Sequence, residues 1–143
     1  MIRVLANDGL EASAVKALEA AGAEVVTSHV EQADLGEAVR EYDVLIVRSA
    51  TKVTADVSEK AKGSKLKLVI RAGVGVDNID IPAANANGIE VKNTPNASSN
   101  SVAELAIGHM FALARYIAIS NVTMRNGEWN KKKYEGSEIF GKT

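Results

Sequence analysis

Two arginines, each at the end of a short apolar run, are the residues of this sequence best suited to bind a ligand. Arg48 follows Val44–Val47, and Arg71 follows Leu66–Ile70. A guanidinium holds its N–H donors in a fixed fork that matches a carboxylate or a phosphate. A single arginine would more simply cap strand carbonyls or pair with a nearby acid. Two arginines after apolar runs favour a site for a small anionic substrate.

The segment Gly73–Gly75 comes shortly after Arg71. Glycine has no side chain and tolerates positive φ, so backbone N–H groups in such a turn can approach an anion closely. A dinucleotide fingerprint would need a third glycine where Asn78 stands, and Pro82 sets the next helix start too late for it. We therefore reject the fingerprint. An anion-binding turn and a tight turn without a ligand both remain open.

Short apolar runs alternate with helical patterns along the first part of the chain. The predicted strands are Ile2–Ala6, Ala23–Thr27, Val44–Val47, Leu66–Ile70 and Ile89–Val91, and the predicted helices, with their capping residues, are Leu10–Ala21, Leu35–Tyr42, Thr54–Lys62 and Asp80–Asn87. This alternation predicts a parallel sheet, because right-handed crossovers leave few other solutions. The predicted fold is α/β, a flavodoxin-like parallel sheet with helices on both faces, followed by a long helix. Ligands bind such sheets at the carboxyl ends of the strands, where Arg48 and Arg71 lie.

A polar connector divides the chain, and we predict two segments, residues 1–97 and residues 98–143. Ser101 and Glu104 have the spacing of a capping box and predict the start of a long helix that ends near Asn126.

The part of this helix from Val102 to Ala114 is apolar around nearly its whole circumference. One amphipathic face cannot account for that pattern. A monomer would expose a large apolar patch there, so we expect a homo-oligomer that uses this helix.

The composition argues against several kinds of site and partner. The 143 residues include no cysteine and two histidines, so we expect no metal centre. Lys and Arg total 17 against 18 Asp and Glu, and this net charge of −1 gives no electrostatic reason to expect nucleic acid. Glu104, His109 and Arg115 interrupt the least charged stretch, which argues against a membrane span. We expect a cytoplasmic protein.

Three further polar residues have structural interpretations. Asp8 is predicted to cap the first helix. His109 lies among small and apolar residues in the middle of the long helix, where a packed histidine is the simpler interpretation. His29 lies in a polar loop. Neither histidine has an obvious carboxylate partner in the sequence, so neither is assigned as a general base.

Three motifs, in this order, resemble those of the D-isomer-specific 2-hydroxyacid dehydrogenases. They are Val47–Thr54, Arg71–Asp80, and Asn93–Asn96 leading to Ala103–Leu105. The resemblance covers the whole chain and implies NAD-dependent oxidation of a phosphorylated 2-hydroxy acid at C2. It also implies a dimer interface on the long helix. The residues to which it gives roles are Arg48, Ser49, Arg71, Gly73, Val74 and Gly75 in substrate binding, Val74 in a cofactor contact, and Asn93, Thr94, Pro95 and Asn96 in an interdomain hinge.

The family's GxGxxG turn and its catalytic Arg, Glu and His have no counterpart in this sequence. By the resemblance they are expected downstream of Thr143, and residues 98–143 would lead into the dinucleotide-binding domain. We therefore assign no catalytic residue and expect the chain alone to be inactive. An alternative of another class stays open: a non-enzymatic flavodoxin-like module that binds a small phosphorylated or carboxylate metabolite.

Overall fold

The computed structural model describes residues 1–142, and Thr143, the last residue of the predicted second segment, lies outside the described residues. The chain divides into two compact units, Met1–Ala97 and a second unit that begins at Ser98. The strands are β1 (Ile2–Ala6), β2 (Ala23–Val26), β3 (Val44–Val47), β4 (Leu68–Arg71) and β5 (Glu90–Asn93), and the helices are α1 (Ala12–Ala20), α2 (Leu35–Ala38), α3 (Ala55–Lys60), α4 (Ile81–Ala86), α5 (Ser99–Ala114) and α6 (Ile117–Arg125).

The strands form one parallel sheet in the order β2-β1-β3-β4-β5. This is the order of flavodoxin-like folds, so the predicted α/β class is confirmed. The central strand, β3, has the sequence Val-Leu-Ile-Val, and Leu45, Ile46 and Val47 are all buried. A parallel strand covered on both faces requires such an unbroken apolar run.

Alternate strand positions pack on opposite faces of the sheet. On one face Leu45, Val47 and Val69 belong to a core that also contains Leu35 and Val39 from the α2 region, Val57 from α3 and Ala84 from α4. On the other face Ala6 and Ile46 pack with Leu10, with Leu18 of α1, and with Ala72. Three helices therefore cover the first face, and α1 packs on the second, where Glu90 and Lys92 of β5 stay exposed.

Of the three helix caps predicted in the first unit, two are confirmed and one is wrong. Thr54 Oγ1 accepts a hydrogen bond from Val57 N at 3.4 Å, and Asp80 Oδ1 accepts one from Ala83 N at 3.0 Å. Asp8 does not cap α1. The cap is Glu11, whose carboxylate accepts the N–H of Ser13 at 2.7 Å. Asp8 is therefore free for another role at the end of β1.

Two strands begin and end later than the sequence predicts. β4 starts at Leu68 because the N–H groups of Lys67 and Leu68 still donate to Asp43 O, so pairing with β3 begins only there. β4 ends at Arg71 and β5 at Asn93, so both of these candidate residues are the last residues of strands.

The predicted continuous helix from Ser101 to Asn126 is wrong, because Arg115 and Tyr116 separate α5 from α6. Tyr116 has φ 55°, a left-handed conformation that is uncommon for a residue other than glycine. The carbonyl of Ala114 accepts the N–H of Ser137 at 2.9 Å, which ties the polar tail to this break. The predicted capping box is also wrong, because α5 begins at Ser99, ahead of the predicted cap.

The apolar residues of α5 are exposed on every side: Val102, Leu105, Ile107, Met110, Phe111 and Leu113, with 62% of Leu105 and 78% of Leu113 accessible. His109 is exposed as well, so the expectation that it is packed is wrong for this chain. By length and composition, no single helix within residues 1–142 could cross a membrane; α5 and α6 pass that test only as a pair, with a 58° bend between them.

Candidate functional site

The candidate residues of the first unit lie in one row along the carboxyl edge of the sheet. In the strand register Val47 is the partner of Arg71, and Arg71 is the partner of Asn93. Arg48 follows Val47 directly, and the N–H of Ala72 donates to Val47 O at 2.8 Å. The ends of β3, β4 and β5 are therefore neighbours, as the sequence predicts.

The two arginines share this edge but leave the sheet on opposite faces. Arg71 is in register with Val47, so both point to the face that carries the larger core. Arg48 is one residue beyond Val47 and alternates to the other face. It lines a cleft of about 590 Å³ with Leu10 and Ala72, both of which pack on that face, and with Gly9 and the acidic residues Asp8 and Glu11. This placement gives no reason to expect that both guanidinium groups bind the same ionic group.

Neither guanidinium is occupied within the described part of the chain. No carboxylate lies within 4.0 Å of either arginine side chain. Arg71 Nε is buried and has no hydrogen-bond partner. A buried donor without an acceptor is costly, and buried polar groups nearly always find a partner. Within the described residues, the side chains of Arg48 and Arg71 therefore neither cap strand carbonyls nor form ion pairs.

Arg71 folds back over the backbone of Gly73. A Cβ atom built at Gly73 would overlap the guanidinium of Arg71, so only glycine permits this approach. The N–H of Gly73 donates to Arg71 O at 2.8 Å and is already used. Among residues 1–142 no acceptor is found for the N–H groups of Val74 and Gly75. Of the three backbone amides expected to meet an anion, two are therefore available.

Two residues of the predicted hinge hold this turn in place. Asn93 Nδ2 donates to Val74 O at 2.7 Å, and the N–H of Thr94 donates to Gly73 O at 3.0 Å. Pro95 and Asn96 follow as exposed turn residues. Because of these bonds, the glycine turn is tied to the end of β5.

Ser49 lines a second cleft, of about 560 Å³, on the surface of the first unit. The side chains and backbone around it come from the start of α3 and from the loop before α4: Lys52, Val53, Thr54, Ala55, Asp77, Asn78, Ile79 and Asp80. Arg48 and Ser49, adjacent in sequence, thus face two different clefts.

Asp8 and Asn78 contact the Arg48 segment, and neither was predicted to do so. Asp8 Oδ2 accepts the N–H of Arg48 at 2.6 Å, and Asn78 Nδ2 donates to Arg48 O at 3.0 Å. Partial burial raises the pKa of the Asp8 carboxyl, but hydrogen bonds from the Thr51 hydroxyl and from the backbone N–H groups of Arg48 and Thr51 outweigh it. The pKa of Asp8 therefore lies below its ordinary value of 3.8. The feature of the sequence that could have indicated this contact is the position of Asp8, an acidic residue close to the end of β1.

Two side chains beside the glycine turn, those of Val74 and Asn78, differ in whether they contact the rest of the first unit. Val74 is 46% exposed and offers an apolar surface beside the glycine turn. Asn78 stands where a dinucleotide fingerprint would have its third glycine, and its side-chain amide donates to the carbonyls of Arg48 and Thr51. Within residues 1–142, no cluster of three His, Asp or Glu side chains could hold a metal ion.

Comparison with known proteins gives consistent matches along the chain. Residues 4–134 match the family described as D-isomer specific 2-hydroxyacid dehydrogenase, catalytic domain. The chain is 49% identical over 143 residues to the D-3-phosphoglycerate dehydrogenase of Methanocaldococcus jannaschii, which covers 100% of this chain and 27% of that protein. It is also 49% identical over 142 residues to the hydroxypyruvate reductase of Thermotoga maritima, which covers 99% of this chain and 46% of that protein.

A solved structure extends the comparison to the fold. The crystal structure of NAD⁺-bound 3-phosphoglycerate dehydrogenase in Entamoeba histolytica has a TM-score of 0.65 and 36% identity, and the match covers 80% of this chain and 39% of that one. The chain thus spans less than half the length of each of these three proteins.

Proposed function

Because this chain belongs to the D-isomer-specific 2-hydroxyacid dehydrogenase family, we propose that it is the substrate-binding part of an NAD-dependent enzyme that oxidises a 2-hydroxy acid at C2. We propose D-3-phosphoglycerate as the substrate and 3-phosphohydroxypyruvate as the product, a step of serine biosynthesis in the cytoplasm. Equal identity to a phosphoglycerate dehydrogenase and to a hydroxypyruvate reductase supports the reaction class more strongly than the phosphate. The proposal that the substrate carries a phosphate depends on Arg48.

The observation that carries the proposal is the pair of unpartnered arginines at adjacent strand ends. Arg71 lies beside the available N–H groups of Val74 and Gly75, a combination suited to a carboxylate. Arg48 leaves the opposite face of the sheet and would meet a second anionic group. A substrate with a carboxylate at one end and a phosphate at the other could lie across the edge and meet both.

The chain's own part in the reaction is to bind and orient the substrate. Bound NAD would supply the hydride acceptor, and Val74 would contact it from the substrate side. The proton acceptor for the C2 hydroxyl is proposed to lie outside this chain. Asp8 is engaged by Arg48 and Thr51, and His29 Nδ1 is engaged with Asn7 O at 2.9 Å. We therefore propose that the chain alone is inactive.

The segment Asn93–Asn96 is proposed as the hinge on which the substrate-binding unit moves. Asn93 and Thr94 belong to the rigid side, because they hold the glycine turn. The second unit begins at Ser98, just beyond this segment. Substrate closure in the whole enzyme would change ψ of Pro95 and both backbone angles of Asn96, because the proline ring fixes φ of Pro95.

Self-association is proposed through Val102–Ala114, since this helix exposes apolar side chains on every side. The arrangement is a homodimer in which two copies cover one another's α5. Light scattering at rising concentration should show a dimer, and Leu105→Lys should shift the mass to that of a monomer. A monomeric wild-type protein at the highest concentrations would contradict this.

Steady-state kinetics of the whole enzyme test the substrate assignment. NADH formation should depend on D-3-phosphoglycerate. Arg71→Ala should raise KM for both D-3-phosphoglycerate and D-glycerate, by roughly 10- to 100-fold, the range expected for a lost hydrogen bond to a charged group. Arg48→Ala should raise it for the phosphorylated acid only. Arg125→Ala, an exposed arginine of α6, is the matched control.

Two results would overturn the assignment in different ways. Equal losses for both acids in Arg48→Ala would remove the phosphate role of Arg48. An absence of oxidoreductase activity in the whole protein, with D-3-phosphoglycerate still bound in calorimetry, would favour a non-enzymatic binding module.

A further inference from the structure

The segment Arg48–Thr51 carries two of the proposed substrate-binding residues, yet little packs against it. Arg48, Ser49 and Ala50 are exposed and belong to no helix or strand, and only Thr51 is buried, at 3% exposure. Exposed connecting segments with few apolar contacts open easily and vary in position. Interactions other than apolar packing must therefore hold the backbone that carries the Arg48 and Ser49 side chains.

Two side chains hold the backbone of this segment from opposite sides. The Asp8 carboxylate accepts the N–H of Arg48 at 2.6 Å and that of Thr51 at 3.2 Å. Asn78 Nδ2 donates to Arg48 O at 3.0 Å and to Thr51 O at 2.7 Å. Both backbone groups of Arg48 and both of Thr51 are thus engaged. We refer to these four hydrogen bonds as the Asp8–Asn78 clamp.

The chemistry of the two side chains suits their two sides. An ionised carboxylate only accepts hydrogen bonds, and Asp8 receives two N–H groups together with the Thr51 hydroxyl. A side-chain amide nitrogen carries two donors, and Asn78 uses both on carbonyls. A carboxylate at position 78 would place acceptor oxygens against the carbonyls of Arg48 and Thr51, whereas an amide at position 8 would keep one acceptor oxygen for the N–H groups. The contacts therefore require a hydrogen-bond donor at position 78 and an acceptor at position 8.

Both ends of the clamp are attached to rigid parts of the first unit. Asp8 follows Asn7, whose N–H donates to Ile46 O at 3.1 Å and whose buried Nδ2 donates to Thr51 Oγ1 at 2.9 Å. On the other side, Asn78 O accepts the N–H of Val53 at 2.9 Å, beside the bridge between Val53 and Ile79. The clamp can therefore transmit the position of the sheet to an otherwise exposed loop.

The clamp also connects the two halves of the proposed site. Asn78 lies three residues beyond Gly75, and Asn93 holds the other side of that turn through Val74 O. A displacement of Asn78 would therefore change the distance from the Arg48 segment to the glycine turn.

We propose that Asp8 and Asn78 are positioning residues that set the separation of Arg48 and Ser49 from the glycine turn, and thereby the fit of a substrate with two anionic groups. This role rests on the function proposed above. Neither side chain needs to touch the substrate. Their effect is exerted through the backbone of Arg48 and Thr51.

Hydrogen exchange and kinetics together test the role. In the whole enzyme, Asp8→Ala should speed exchange of the Arg48 and Thr51 amides, whereas Asn78→Ala should leave both amides bonded to Asp8. Both variants should raise KM for D-3-phosphoglycerate by about tenfold or more, since a shift of about 1 Å in a positioned group can cost on the order of 100-fold. Asp8→Asn keeps an acceptor oxygen and should recover most of the affinity.

The matched controls are Asp34→Ala and Asn85→Ala, exposed residues of the same unit with no side-chain hydrogen bond at the clamp. Both should leave exchange and KM within twofold of wild type. The melting temperature of each variant separates a general loss of structure from displacement of the loop.

Three outcomes would overturn the role. Unchanged exchange in Asp8→Ala would show that the clamp does not hold the segment. Faster exchange with KM within twofold of wild type would show that it holds the segment but does not position substrate, and would leave the proposed function intact. A wild-type enzyme that oxidises no 2-hydroxy acid would overturn the proposed function and, with it, this role.

Discussion

Leu45 and Leu105 are the same residue type in two units with opposite environments. Leu45 lies in the central strand of the first unit and is 0% exposed, whereas Leu105 lies on α5 and is 62% exposed. The first unit has a sheet with α2, α3 and α4 packed on one face and α1 on the other, so the apolar residues of its central strands are enclosed within the unit. Among residues 98–142 of the second unit, no hydrophobic side chain is fully enclosed. Apolar character alone therefore does not make a core; a second layer must cover it.

Replacing each of these leucines by alanine should give the largest difference between the units. Leu45→Ala should lower the free energy of unfolding by about 2–5 kcal/mol, because it leaves a cavity in a close-packed core. Leu105→Ala should change it by about 0.5 kcal/mol or less in the monomer, since the side chain is exposed and alanine favours helix. Urea unfolding followed by circular dichroism measures both. Equal losses would show that α5 is covered in solution.

Adding a methyl group to glycine should also act in opposite directions in the two units. Gly73→Ala should lower the free energy of unfolding by about 1–3 kcal/mol, because Gly73 has φ 158°, which an L side chain rarely adopts, and the new Cβ also displaces the Arg71 guanidinium. The displaced arginine should also bind D-3-phosphoglycerate more weakly, which calorimetry would detect. A variant with wild-type stability and affinity would show that Arg71 does not rest on this glycine.

Gly108→Ala should instead raise the free energy of unfolding of α5 by about 0.5–1 kcal/mol, because glycine is a poor residue within a helix. A Cβ at Gly108 would meet nothing within 4 Å. Fluorescence of Trp129, the sole tryptophan and a residue of the second unit, follows this change. A loss of stability at high protein concentration would indicate close helix contact at Gly108 between two copies.

A pH titration should give the smallest effect, confined to the first unit. The folded-state pKa of Asp8 is lower than its ordinary value of 3.8, so its carboxylate stabilises the fold above that pH. This contribution is lost as the pH falls through the folded-state pKa. Asp8→Asn should therefore flatten the dependence of unfolding free energy on pH below about 4. Parallel curves for Asp8→Asn and wild type would exclude a stabilising ionised Asp8.

Much of the first unit could be predicted from local patterns. The bounds of β1 and β3 match the sequence prediction, because both are short, largely apolar runs that are followed by polar residues, Asn7 and Arg48. The caps at Thr54 and Asp80 follow from short side chains that accept N–H groups within the same turn. The ends of β4 and β5 were misplaced, since they depend on register with neighbouring strands rather than on their own residues.

The candidate site was only partly predictable for the same reason. The positions of Arg48 and Arg71 at strand ends follow from the order of the elements. Their divergence to opposite faces depends on where each strand stops relative to Val47. The bonds of Asp8 and Asn78 to one loop join residues 40 and 30 positions apart in the chain, a separation that local patterns do not encode.

The sequence by itself determined the class of fold, the parallel direction of the strands and the family. These follow from periodicity, turn residues and motifs that are local in the chain. Tertiary structure alone decided which polar groups remain without a partner, on which face each arginine leaves the sheet, and that the apolar helix breaks at Tyr116. Those properties depend on contacts between distant segments, and such contacts exist only once the chain has packed.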